Sequence, residues 1–157
     1  VDLTVVVPAF NETKRMPSMI SSALSHLSEL SKSGKRTSEV LLVDDGSTDG
    51  TADAALKMAA VHAKEAGKKG TIDIRVVTLV QNQGKGGAVR HGMLHGRGKR
   101  LLMVDADGAS RFEDLEALWK RMDEMLPGDE TGDGEAVVVG SRAHLVSTAA
   151  VVKVMSS

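Results

Sequence analysis

Short β-branched runs alternate along this chain with longer segments whose apolar residues recur every three or four positions. The runs at 4–8, 40–43, 72–80, 101–104 and 136–140 predict five strands, most of them continuously apolar and therefore buried on both faces. Between them, Met16, Ile20, Ala23, Leu24, Leu27 and Leu30 recur at helical spacing and predict a helix over 17–33. A second helix is expected over 51–66, stopped by Gly67. A third opens at the glycine-rich turn Gly84-Lys85-Gly86-Gly87 and runs to about His95. Ser110 and Glu113 have capping-box spacing and start a fourth, with Leu115, Leu118, Trp119, Met122 and Leu126 on one face. The order βαβαβαβαβ predicts an α/β fold, a Rossmann-like, mostly parallel sheet with helices on both faces. No internal repeat or low-complexity linker interrupts it, so residues 1–157 read as one domain, or most of one.

Composition narrows the function classes. The 157 residues carry 20 basic and 21 acidic side chains, a net charge of −1. The strongly basic face of a nucleic-acid-binding protein is not expected. There is no cysteine, which excludes disulfides and thiolate metal sites. Phe10, Phe112 and Trp119 are all the aromatics, so Ala, Val, Leu and eight Met must fill the core. No apolar run approaches the roughly 20 residues needed to cross a bilayer, and no signal peptide is visible. The chain opens on Val1 inside a strand-like pattern and stops soon after the apolar stretch at 151–155, so a fragment, incomplete at its carboxyl end, is expected.

The candidate chemistry lies at the strand ends. Asp105-Ala106-Asp107 follows the apolar run at 101–104 and so falls at a strand's carboxyl end, where open α/β sheets bind ligands. Two repelling carboxylates there suit a hard divalent cation that also holds a nucleotide diphosphate. They equally suit a strand-ending turn, because Asp and Gly are turn residues. The strands at 4–8 and 40–43 also end in polar sequence, Pro8-Ala9-Phe10-Asn11-Glu12 and Asp44-Asp45-Gly46-Ser47-Thr48-Asp49. Asp45 and Glu12 could accept hydrogen bonds from a base N–H or a ribose hydroxyl. Phe10 could stack on the base or belong to the core, and the backbone around Pro8 and after Val43 could line a base pocket. Asp49 reads as a helix-start or turn residue.

Gly84-Lys85-Gly86-Gly87 at a helix start suits an anion, with Lys85 and Arg90 adding charge. It is neither a P-loop, since Gly86 rather than Ser or Thr follows Lys85, nor a dinucleotide fingerprint, since Val89 stands where Gly or Ala is needed. Arg142 could neutralise a diphosphate or form a surface ion pair. His91, His95 and His144 lack metal-ligand spacing and read as solvated or structural.

Taken together, three stretches resemble the inverting GT-A glycosyltransferases: Val7-Pro8-Ala9-Phe10-Asn11-Glu12, Val43-Asp44-Asp45-Gly46-Ser47-Thr48-Asp49-Gly50 and Asp105-Ala106-Asp107. Asn82-Gln83-Gly84-Lys85-Gly86-Gly87-Ala88-Val89, the Gly108-Ala109-Ser110-Arg111-Phe112 tail and Val139-Gly140-Ser141-Arg142-Ala143-His144 narrow the resemblance to the dolichyl-phosphate β-glucosyltransferase branch. The resemblance implies a GT-A fold and transfer of glucose from UDP-glucose to dolichyl phosphate, giving dolichyl β-D-glucosyl phosphate for protein N-glycosylation. It implies Mg²⁺ or Mn²⁺ as cofactor. By similarity, Pro8, Phe10, Glu12, Val43 and Asp45 hold the uridine. Arg142 lies near the diphosphate, and Asp105, Ala106 and Asp107 hold the metal and diphosphate-sugar, with Asp105 and Asp107 the catalytic pair; Lys85 joins the nucleotide-sugar-binding set from its place in the glycine-rich turn. It also implies an endoplasmic-reticulum enzyme facing the cytosol, with a membrane helix and acceptor-side segments outside these residues. A dolichyl-phosphate mannosyltransferase-like enzyme using GDP-mannose, and a non-catalytic nucleotide-binding fragment, are the alternatives. The acceptor phosphate is largely ionised near neutral pH, its second pKa being about 6, so a strong general base is less necessary.

Overall fold

The computed structural model describes residues 1–34, 36–66, 72–128, 134–140 and 151–153. Its strands are β1 (Leu3–Ala9), β2 (Ser38–Asp44), β3 (Ile72–Thr78), β4 (Arg100–Met103), β5 (Val137–Val139) and β6 (Val151–Lys153). Its helices are α1 (Met16–Lys32), α2 (Thr51–Ala66), α3 (Gly84–His95) and α4 (Leu115–Met125). The strand order is β3-β2-β1-β4-β6-β5. β1 pairs in parallel with β2 and β4, and β2 in parallel with β3.

The alternation of side chains along β1 and β2 divides the core in two. Leu3, Val5, Val7 and Ala9, with Val40 and Leu42, face a large cluster built with Met16, Ile20, Ala23 and Leu27 of α1 and Leu115, Leu118 and Met122 of α4. Leu41 and Val43 face the other way, onto Leu79 and Ala88 of α3. Helices therefore cover both faces, as expected. The central strands β1 and β2 are buried at every position, while β3, at an edge, is half-exposed along most of its length. α3 packs closest. A Cβ on Gly92 would stand 2.2 Å from Val6 Cγ1 and 3.2 Å from Val43 Cγ2, so only glycine fits there without a shift of the helix.

The sheet is mostly parallel, as expected, with one added antiparallel strand, β6, which lies between β4 and β5. A three-residue apolar stretch carries too little pattern to be told from a loose tail. One expectation needs correction: the capping box at Ser110 and Glu113 does not form. The segment instead begins as a 3-10 turn, Phe112–Asp114, after Arg111, with no side-chain cap, and Phe112 is buried in its place. The burial of a large apolar side chain, worth about 1.5–3 kcal/mol, outweighs a surface cap of about 1 kcal/mol. Trp119 is partly buried against the core, with the Arg36 and Arg100 guanidinium carbons 3.7 and 4.2 Å from its ring centroid. Gly67, most of the loop at 127–135 and the tail at 147–150 lie outside the described residues.

β1 to β3 run outward in one direction, and the chain then returns across the sheet to place β4 on the other side of β1. That reversal opens a crevice at the carboxyl ends of β1 and β4, the position where such sheets take ligands.

Candidate active site

The crevice is a cleft of about 430 Å³ lined by Pro8, Ala9, Phe10, Glu12, Asp45, Asn82, Gly84, Lys85, Ala88, Asp105, Ala106 and Asp107. The structure thus brings together nine of the residues singled out from sequence. Phe10 is half exposed and belongs to the cleft wall, not the core. Val43 does not line the cleft: its side chain is fully buried under α3. Arg142 and His144 lie outside the described residues.

Each strand end is held by hydrogen bonds, many of them to the neighbouring strand end. After β1 the chain turns through Asn11 at φ 55°, a left-handed conformation that Asn tolerates. Asn11 N–H donates to Ser47 Oγ at 2.9 Å, and Asn11 Oδ1 accepts from Thr48 N–H at 3.0 Å, which stitches the β1 end to the β2 end. Glu12 N–H donates to Thr51 Oγ1 at 2.9 Å. The Glu12 carboxylate is engaged by both Arg15 Nε, at 2.7 Å, and Arg15 Nη2, so it faces the cleft as half of an ion pair. Asp49 is confirmed as structural. Its Oδ1 accepts from Thr51 N–H and Oγ1 at 3.0 and 2.5 Å, and its Oδ2 from Thr13 N–H at 3.1 Å. Hydrogen bonds from Thr13 and Thr51 hold its pKa down to about 2.

The adjacent acids of β2 have different tasks. Asp44 is buried, its Oδ2 accepting a long 3.4 Å bond from Ser47 N–H. Asp45 is also buried, but its Oδ1 accepts from Gln83 N–H at 2.7 Å and its side chain lines the cleft. That bond docks the start of α3 against the end of β2. Gly46, at φ 73°, permits the approach, since a Cβ there would meet Asn82 N at 3.1 Å.

At the β4 end, Asp107 Oδ1 accepts from Ala109 N–H at 2.9 Å, the Asx turn expected of the bland reading. The turn and a ligand role are compatible, because it engages one oxygen. Asp105 Oδ1 meets Lys85 Nζ at 2.6 Å, across the cleft from the amino end of α3. Among the described residues no group of three or more acidic or histidine side chains could hold a metal. Among the described residues, Asp105 and Asp107 are the carboxylate pair at the β4 end that could hold one. That set fits Mg²⁺ or Mn²⁺, hard cations that accept one or two carboxylates and take the rest of an octahedral shell from phosphate and water oxygens. Opposite the acids, Gly84 and Lys85 open α3; Gly84 N–H donates to Asn82 Oδ1 at 3.0 Å, and the N–H groups that follow it in the first turn, with the helix dipole, favour an anion.

Asn82 and the backbone wall at Ala9 and Ala88 were not among the candidates argued from chemistry. Asn82 could have been found, since it lies two residues before the glycine-rich turn. A second feature lay hidden at the opposite end of the sheet. Glu39 is wholly buried, and its Oε1 accepts from Thr4 Oγ1 and Arg97 N–H, both at 2.7 Å. Its Oε2 accepts from Arg97 Nε at 2.6 Å and Arg75 Nη1 at 3.4 Å. Burial pushes the Glu39 pKa up, but the Arg97 N–H, the Thr4 hydroxyl and the Arg97 guanidinium together hold it below the ordinary value.

A crevice at the reversal of strand order, with acids at one wall and a helix start at the other, on a mostly parallel sheet covered by helices on both faces, has the architecture of the GT-A fold. The chain belongs to glycosyl transferase family 2, whose model matches residues 4–138. It is 46% identical over 144 residues to the dolichyl-phosphate beta-glucosyltransferase of Mus musculus, covering 91% of this chain and 41% of that protein. It is 46% identical over 153 residues to the enzyme of the same name from Saccharomyces cerevisiae, covering 96% of this chain and 44% of that one. The chain thus spans less than half the length of these relatives. Solved structures agree on the fold. Mannosyl-3-phosphoglycerate synthase from Rubrobacter xylanophilus matches with a TM-score of 0.57 and 23% identity over 82% of this chain and 37% of its own. A mannosyltransferase from Pyrobaculum calidifontis, in complex with GDP-Man and Mn²⁺, matches at 0.54 and 24% over 67% of this chain and 27% of its own.

Proposed function

We propose that the cleft binds UDP-glucose and that the protein transfers its glucose to dolichyl phosphate with inversion, giving dolichyl β-D-glucosyl phosphate for N-glycosylation on the cytosolic face of the endoplasmic reticulum. The observation that carries this reading is the convergence of Pro8, Phe10, Asp45, Lys85, Asp105 and Asp107 on one cleft at the strand-order reversal. The acceptor and the sugar rest on the names of the relatives. Residues 1–157 would form one nucleotide-sugar-binding domain. Membrane association would come from elsewhere than the described residues, where no helix is long and apolar enough to cross a bilayer.

In this reading Phe10 offers a ring face to the uracil, and the unpartnered Asp45 oxygen accepts from the base or ribose. Asp105 and Asp107 would hold Mg²⁺ or Mn²⁺, which supplies charge stabilisation for the departing diphosphate. The amino end of α3 and Lys85 add positive potential on the opposite side. The acceptor is an ionised phosphate, so no side chain need remove a proton from it.

Calorimetric titration of the protein with UDP-glucose and GDP-mannose, with and without Mn²⁺, tests the reading. Metal-dependent binding of UDP-glucose in preference to GDP-mannose is expected. Asp107→Asn should weaken it by about tenfold or more, the worth of a charge-assisted contact. Preference for GDP-mannose, or no binding of either nucleotide sugar, overturns the proposal.

A further inference from the structure

Asp105 and Asp107 are not equivalent. Asp107 engages a backbone N–H, whereas Asp105 engages a cation of the protein itself, Lys85, at 2.6 Å. We propose that Lys85 competes with the divalent cation for Asp105, and that the nucleotide's phosphates relieve the competition by giving Lys85 a new partner. The inference rests on the donor-site reading above and deepens it.

The geometry suits an exchange of partners. The Lys85 side chain is 60% exposed and that of Asp105 31%, so neither is locked by packing. The backbone that carries Lys85 is fixed: Gln83 N–H is bonded to Asp45, and Gly92 is seated against Val6. Lys85 can therefore change partner by side-chain rotation alone. Its four-carbon stem gives that freedom, and its three donors suit a phosphate as well as a carboxylate. A cation arriving alone must displace Lys85 from Asp105 and leave the ammonium without a counter-charge. A cation arriving with a diphosphate replaces one ion pair by two, Asp105 with the cation and Lys85 with a phosphate oxygen. Cation and nucleotide should therefore favour each other's binding, and by linkage the coupling is reciprocal.

The test uses the purified wild-type protein, Lys85→Met and Lys85→Arg. Mn²⁺ binding without nucleotide is read from the electron paramagnetic resonance signal of free Mn²⁺, and UDP binding at saturating Mn²⁺ by calorimetry. Lys85→Met should bind Mn²⁺ alone more tightly than wild type, by up to about fivefold, the worth of a partly exposed ion pair. The same variant should bind UDP with Mn²⁺ about tenfold more weakly. Lys85→Arg, which keeps the charge, should restore wild-type behaviour in both assays. Unchanged Mn²⁺ affinity in Lys85→Met overturns the exchange even if UDP binding falls, because that result describes a plain phosphate contact. If wild type binds neither Mn²⁺ nor UDP, the donor-site reading fails, and the exchange with it.

Discussion

The two ends of the sheet hold carboxylates in opposite conditions. At the amino end Glu39 is fully enclosed, and both of its oxygens are taken up by Thr4, Arg97 and Arg75. At the carboxyl end, roughly 20 Å away along β2, Asp45, Asp105 and Asp107 each have one oxygen engaged, by Gln83, Lys85 and Ala109. Their second oxygens have no hydrogen-bond partner among the described residues. A carboxylate whose lone pairs are all satisfied by the protein can only hold the fold. One that is oriented by a single bond and keeps an oxygen towards a cleft can bind something else. Burial alone does not make this distinction, since Asp45 is nearly as buried as Glu39.

The largest effect should come from breaking the closed end. Glu39→Ala leaves Arg97 N–H and the Thr4 hydroxyl without their acceptor and Arg97 without its buried partner. We expect a loss of about 3 kcal/mol, the low end for a broken buried pair because Arg97 is itself half exposed. Urea unfolding measures it. UDP affinity, taken where the variant is still folded, should stay within about twofold of wild type, since effects at well-separated sites are independent. Asp107→Asn should do the reverse. Its amide oxygen can still accept from Ala109, so stability should change by no more than about 0.5 kcal/mol while metal-dependent nucleotide-sugar binding weakens about tenfold or more. If Glu39→Ala weakened UDP binding without moving the unfolding midpoint, the division of labour between the two ends would be wrong.

Gly92→Ala sharpens the comparison because α3 is shared. An added methyl meets the side chains of Val6 and Val43 on central strands that cannot give way. Overpacking of this kind costs about 1–3 kcal/mol. The relief available is a shift of α3, which carries Gly84, Lys85 and Ala88 into the cleft wall. This substitution should therefore lower both the unfolding midpoint and UDP affinity, whereas Glu39→Ala and Asp107→Asn each lower one. A stable Gly92→Ala variant with normal binding would show that α3 does not position the cleft.

How far the sequence reveals this division depends on the range of the interactions. β1, β2 and β4 are legible because continuous apolar runs leave few alternatives to a buried strand, and the cleft acids follow directly from where those runs end. Phe10 is ambiguous from sequence, since one aromatic after a strand fits core and wall alike, and only tertiary placement decides it. Val43 shows the limit of assigning a residue by its neighbours: it adjoins the site acids, but alternation turns its side chain under α3. The Glu39 network is illegible for a different reason. Its partners Thr4, Arg75 and Arg97 are 35 or more positions away, and no local pattern marks a Glu inside a strand as paired. The Lys85–Asp105 contact is hidden likewise, joining a helix start to a strand end 20 positions on.

The smallest effect concerns acid, and it reads both ends at once. Glu39 and Asp49 titrate below their ordinary values of 4.5 and 3.8, as does Asp2, whose carboxylate accepts from the Thr37 N–H and hydroxyl. In each case the folded state binds its proton less readily than the unfolded chain. The stability these groups contribute is therefore complete above the unfolded pKa and is lost as pH falls through the folded one. For Glu39 the loss starts as pH drops below 4.5. For Asp49 it starts below 3.8 and continues to about 2, loosening the bonds from Thr13 and Thr51 that tie the β1 end to α2. Asp49 lies at the surface, where solvent screens its contribution, so Glu39 should account for most of the slope. Urea midpoints measured from pH 7 to pH 2 should stay level down to about pH 5 and then decline. In Glu39→Gln the decline should be shallower and begin nearer 3.8, with Asp2 and Asp49 remaining. An unchanged slope in Glu39→Gln would mean that Asp2 and Asp49, and not the enclosed Glu39, set the acid response.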